Sequence, residues 1–189
     1  MRGYILPFGD FVAWCLMPNH FHWQFHVRRI AIPRKVLRKH VDEVEYLRRV
    51  HQYGEKAQAV KRDWTRISNP EEPISLNTAI GDLLKGYTTA INKQQENRSG
   101  SLWRAETKAE DGWIEEFVTL KKNGQTDYRF QKGNDYAYQC FCYIHDNPSK
   151  AGLVKQNTDY PWSSAQDYAG LRKGTLCNLD MGRNLRDFL

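Results

Sequence analysis

The chain has 189 residues, enough for one domain with a sizeable core. Its formal net charge is +6 and 13% of its residues are aromatic, a balance that suits an anionic partner, nucleic acid first among them. No run approaches membrane-spanning length and no secretory leader is visible. The four cysteines, Cys15, Cys140, Cys142 and Cys177, match no zinc spacing, so they are expected to be reduced thiols in a cytosolic protein.

In chain order, MRGYILPFGD looks like the end of an element followed by a turn. FVAWCLM is a short apolar run expected as a buried strand, broken by Pro18 and Asn19. FHWQFHV then alternates strictly. Phe21, Trp23 and Phe25 fall on one face, and His20, His22, Gln24 and His26 on the other. The two runs are expected to pair as a hairpin. Two imidazoles on one face of a strand suit a divalent metal, although an isolated H-x-H is more often a pair of polar surface positions.

Residues 28–73 are dense in charge and poor in core residues. Val36, Leu37, Val41, Val44, Leu47 and Val50 recur at helical spacing, which predicts a surface helix. Arg28, Arg29, Arg34, Lys35, Arg38 and Lys39 cluster near its start, as a basic surface or as a solvated helix face. ISNPEEP is expected as a loop ending at Ser75, a good N-cap. From there Leu76, Ile80, Leu83, Leu84, Tyr87 and Ile91 form the apolar stripe of a second helix. Gly81 and Gly86 weaken it unless something packs close. SLWRAETKA reads as a strand, 111–134 as irregular with NGQTD as a turn, and DYAYQCFCYIHDNP as a helix capped by Asp135 and stopped by Pro148. The tail from about Gly152 is loop-rich, with one helical turn in WSSAQDYAGL.

On the helix before Pro148, Gln139, Tyr143 and Asn147 stand at i, i+4 and i+8, roughly one face. A tyrosine is a possible nucleophile for phosphoryl transfer, and an asparagine carbonyl suits a hard cation. Taken alone, the helix reads more simply: Tyr143 packs with its hydroxyl at the surface and Asn147 caps the helix end.

Taken together, MPNHFH and the later YIHDNPSKAGLV resemble the single-tyrosine HUH transposases, and most closely the REP-associated tyrosine transposases. LKGYTTAINKQQENRSGSLWRAETKA and DYPWSSAQDYAGLRKGTLCN are also similar to this branch, so the resemblance spans about residues 4–28 and 75–178. It implies an α+β, ferredoxin-like (RRM-like) antiparallel sheet with helices on one face, in one transposase domain over 1–189 carrying a charged helical insertion at about 28–73. It implies that His20, His22 and Asn147 hold Mg²⁺ or Mn²⁺ and that Tyr143 attacks a phosphate of single-stranded or hairpin DNA, giving a 5′-phosphotyrosine intermediate. Lys85, Lys93, Trp103, Arg104, Arg28 and Arg29 are the expected DNA contacts, the bacterial cytoplasm is the expected location, and a homodimer is one expected assembly. Members of the branch begin with a strand and helix that have no counterpart before MRGYILPFGD, so a shortened N-terminus is expected. The competing expectation is an inactive DNA-binding remnant. A structural RNA-binding module of ferredoxin-like fold would explain charge and aromatics but leave the four site matches as coincidence.

Overall fold

A computed structural model describes residues 1–57, 69–95, 99–102, 119–120, 126–127 and 133–185. The protein mixes helices with small antiparallel sheets, an α+β chain. It divides into two compact units, Met1–Asp10 with Val27–Ala105, and Phe11–His26 with Glu106–Leu189.

The first unit is mainly helical. Helix α1 (Arg2–Ile5) runs through a 3₁₀ turn, Leu6–Phe8, and packs against α2 (Arg34–Tyr53) and α3 (Leu76–Gln94). Gly3 faces Val41 across the α1–α2 contact, where a Cβ would sit at an ordinary van der Waals distance of 3.6 Å. Of the apolar positions predicted along α2, Leu37 and Val41 are buried, whereas Val36, Leu47 and Val50 are exposed. Ile5, Phe8, Ile32, Ile74 and Ala79 are the other buried apolar residues among those described in this unit.

ISNPEEP is not wholly loop. Strand β3 (Ala31–Pro33) pairs antiparallel with β4 (Pro73–Ser75), Ile32 opposite Ile74 and Pro33 opposite Pro73. Proline tolerates this place because each strand has an edge on which no amide donor is required. The two ends of the charged segment are thereby clasped together. Ser75 caps α3 as expected, its hydroxyl accepting from the Thr78 amide at 3.1 Å. Among the described residues no atom lies within 4 Å of a Cβ built on Gly81 or Gly86, so no close packing there offsets their helical cost.

The second unit holds the hairpin. Strand β1 (Gly9–Leu16) and β2 (Phe21–Val27) form a two-stranded sheet, with the Met17 amide donating to the His20 carbonyl across the turn. No further strand joins β2 among the described residues. The alternation predicted for β2 sets its two faces. Phe11, fully buried, meets Trp23 and Phe25 edge-on at 5.5 and 5.0 Å between ring centroids. On the opposite face, the Gln24 amide donates to the Ala137 carbonyl on α4 (Gly133–Lys150) at 2.8 Å. Val12, Ala13, Cys15 and Met17 pack with Ala137, Ile144 and Phe141.

Helix α4 differs from expectation at both ends. It begins at Gly133 rather than Asp135, and it passes through Pro148 to Lys150. A proline in the last turn costs one amide donor, and the buried Pro148 ring remains packed. The chain leaves the helix at Gly152, whose φ of +70° only glycine adopts readily, with the Leu153 amide returning to the Pro148 carbonyl. Thr119–Leu120 (β5) and Thr126–Asp127 (β6) pair antiparallel within the stretch expected as irregular. The strand expected in SLWRAETKA falls outside the described residues from Trp103 onward.

The tail does more than loop. Short helices α5 (Ala165–Tyr168) and α6 (Leu179–Asn184) flank segments that pair with the free edge of β1. Cys15 bridges antiparallel to Ser163, and Phe11 parallel to Cys177. The Leu16 amide donates to Trp162, the Ser164 amide to Trp14, and the Asn178 amide to Phe11. Tyr160 and Tyr168 hydroxyls donate to the Leu16 and Val12 carbonyls, at 2.9 and 2.6 Å. The outward backbone groups of β1 are satisfied by side chains and main chain from a segment about 150 residues away.

Candidate functional site

The site lies in the second unit, where the polar face of β2 meets α4. His20 stands just before the strand, in the exposed end of the turn, and His22 lies within it, half-buried. Their rings meet edge to face, with centroids 4.8 Å apart. The Tyr143 ring meets His22 at 5.4 Å, also edge to face, and Tyr143 is 51% exposed. Two histidines and a tyrosine more than a hundred positions apart in sequence therefore meet through their rings.

The surroundings of His22 suit ligation. Burial, and then the neighbouring His20, hold the His22 pKa below the usual imidazole value, favouring the neutral ring that binds a metal. Nε2 of His22 is buried and has no hydrogen-bond partner among the described residues, an orphan that otherwise costs free energy. Nδ1 of His20 lies 2.6 Å from Oδ1 of Asn19. An N–H donated there leaves the lone pair of His20 on Nε2 and fixes the ring, as outer-sphere partners of metal-binding histidines do. The unpartnered Nε2 of His22 and the lone pair on Nε2 of His20 are donors of the type a divalent cation takes, so the residue types fit one.

Asn147 stands one turn beyond Tyr143 on the same helix face, and its amide nitrogen donates to the Tyr143 carbonyl at 2.8 Å. The carbonyl oxygen, the atom that suits a hard cation, takes no part in that bond. Among the described residues no group of three or more histidine, cysteine or acidic side chains forms.

Lys150 is the neighbour that sequence reasoning missed. Its Nζ lies over the Tyr143 ring, 5.9 Å from the centroid, and 3.3 Å from Oδ2 of Asp146. Its signal was the i+7 spacing from Tyr143. His145, between them, faces inward instead. It is 7% exposed, bonds Ser164 Oγ at 2.7 Å, and burial pushes its pKa down to about 4 against the opposing pull of Asp146 and Asp167. It ties α4 to the tail.

The other expected contacts are in the first unit or undescribed. Lys85 and Lys93 lie exposed on α3. Arg28 pairs with Asp10 at 3.1 Å, and both Arg28 and Arg29 donate backbone amides to the Phe8 carbonyl. In the basic cluster at the start of α2, Arg34 pairs with Glu72 at 3.0 Å and Lys35 with Glu71. Trp103 and Arg104 fall outside the described residues. No family model, no curated protein and no solved structure matches the chain.

Proposed function

We propose that the chain is a metal-dependent transposase of the single-tyrosine HUH type, cleaving and rejoining single-stranded or hairpin DNA. The observation that carries this reading is the meeting of His20, His22 and an exposed Tyr143 on one surface. In this reading β1, β2 and α4 belong to a ferredoxin-like fold with the histidine face turned toward the helix that bears the nucleophile.

His20 and His22 would hold the cation, and Asn147 would add its carbonyl oxygen. A bound Mg²⁺ or Mn²⁺ supplies Lewis-acid polarisation of the scissile phosphate. Tyr143 is half exposed, so a phosphate can reach its side chain from solvent. The hydroxyl attacks phosphorus, forming a tyrosine–phosphate ester as the bond to the 3′ oxygen breaks. The phenol proton passes to solvent, and the departing 3′ oxygen takes one up. The ester retains the bond energy, so rejoining needs no ATP.

The test is adduct formation on a denaturing gel, using a pool of 3′-labelled hairpin oligonucleotides with randomised flanks in Mg²⁺ or Mn²⁺. The wild-type chain should acquire the label. Tyr143→Phe should lose it completely while retaining DNA affinity, and the paired change His20→Ala, His22→Ala should lose it too; a retained adduct in that pair would refute the metal role of the histidines. An adduct in the Phe variant would pass the nucleophile to another tyrosine. Binding without any adduct in the wild type favours the inactive remnant.

A further inference from the structure

We propose that Lys150 binds the DNA phosphate that Tyr143 attacks, with Asp146 as the residue that positions it. The inference rests on the transposase reading and names a phosphate-binding group of that same site.

An exposed lysine–aspartate pair at i, i+4 is ordinarily a surface ion pair of little consequence. Two features set this one apart. The first is its location. Lys150 and Tyr143 are seven residues apart on one helix, so both project from the same face, and the ammonium lies over the ring of the proposed nucleophile at 5.9 Å. A phosphate brought to the Tyr143 hydroxyl comes within the sweep of a four-carbon side chain already leaning toward it. The second is the anchoring of the partner. Oδ1 of Asp146 accepts from Asn157 Nδ2 at 2.6 Å, while Oδ2 holds Lys150 at 3.3 Å. Ser149 Oγ closes the arrangement, its one proton within reach of both Asn157 Oδ1 and the Asp146 carbonyl. The carboxylate is therefore fixed from the segment after the helix, and the lysine is 62% exposed with its charge accessible to solvent-borne anions.

The charge requirement fits. A phosphodiester carries one negative charge, and attack by the tyrosine oxygen gathers further negative charge on the non-bridging oxygens before the 3′ oxygen leaves. An ammonium beside those oxygens stabilises that state more than the bound diester. Lys150 transfers no proton in this step; it contributes charge alone.

The experiment uses the full chain and a (dT)30 single strand as probe, with affinity measured at several salt concentrations. Lys150→Ala should reduce the magnitude of the log–log salt slope by about 0.7, one phosphate contact fewer. Lys150→Arg should restore the slope. In the hairpin-pool assay, the Ala variant should form adduct at least about tenfold more slowly than wild type under single-turnover conditions, and Arg should recover most of that rate. Asp146→Asn should leave the salt slope intact while slowing adduct formation, since it frees the lysine without removing it. An unchanged slope in Lys150→Ala overturns the proposal whether or not the wild type is active. A reduced slope with an unchanged adduct rate also overturns it, placing the contact on a different phosphate. A wild type that makes no adduct refutes the transposase reading separately, and a reduced slope would then still support Lys150 as a phosphate ligand beside Tyr143. Unchanged circular dichroism and melting of the variants separate these outcomes from misfolding.

Discussion

Replacing Arg172 with Ala should destabilise the second unit by about 3 kcal/mol, the lower end of the range for breaking a buried ion pair. The magnitude follows from what the guanidinium holds. Asp167 is 3% exposed, and its two oxygens accept from Arg172 Nε at 2.6 Å and Nη2 at 2.8 Å, with the Gly174 amide at 3.1 Å as a third donor. The same guanidinium donates to the carbonyls of Pro161 and Ser163, at 2.8 and 2.7 Å, and its carbon lies 5.4 Å from the Trp14 ring centroid. Removing it leaves a buried carboxylate with one amide donor and takes a donor from each of two carbonyls in the segment that closes β1. The arginine side chain is itself one-third exposed, so water partly compensates and the lower figure applies. Arg172→Lys keeps the charge without the planar fork and should cost roughly half as much. Combining Arg172→Ala with Asp167→Ala should recover part of the loss, because no unpaired charge then remains. Hydrogen exchange at the Leu16, Ser164 and Asn178 amides, each bonded across this seam, reads the unit's stability directly. A loss under about 1 kcal/mol in Arg172→Ala, or equal losses in Lys and Ala, would refute the claim that a bidentate guanidinium holds the tail.

Two further predictions concern single groups. Ser75→Ala removes the cap on α3 and should cost about 1 kcal/mol in urea denaturation, with Ser75→Asn close to neutral. The Cys15 thiol, pushed up to about 11 by burial against a weaker opposing bond from Ser163, should resist iodoacetamide at pH 8.5 in the native chain and react once urea unfolds it. Because the unfolded thiol ionises near 9.0, its contribution to stability is complete below that pH and declines as pH rises from 9 toward 11. Native-state alkylation of Cys15 at the rate of an unfolded cysteine would contradict this.

The local periodicities were legible because they are decided within a few residues. Strict alternation assigned the faces of β2, and the structure turns Gln24 and His22 toward α4 while Trp23 and Phe25 meet Phe11. Helical spacing likewise placed Tyr143 and Asn147 on one face. Two misreadings came from proline. Pro148 suggests a stop although the last turn tolerates it, and the prolines around 70–73 hide a strand pair in which both strands are edges. The role of the tail was illegible for a different reason. Its bonds to β1 run through main-chain groups, serine and tyrosine hydroxyls, and no local pattern announces a partner about 150 positions away. His145 was invisible as a core residue for the same reason: its hydrogen-bond partner, Ser164, lies in that tail.

The late arrival of that tail has a consequence for synthesis. Ribosomes add about 5–20 residues each second, so on the order of ten seconds separate the emergence of β1 from that of the segment that pairs with its outer edge. A hairpin forms within microseconds. Helices α2 and α3 of the first unit, encoded between, are complete well before the second unit can close. Throughout that interval Trp14 and Leu16 present backbone groups whose partners do not yet exist, beside an aromatic face built on Phe11. The histidines of the site are thus translated early, their tyrosine late, and the surface they share comes into being only after nearly the whole chain has left the ribosome.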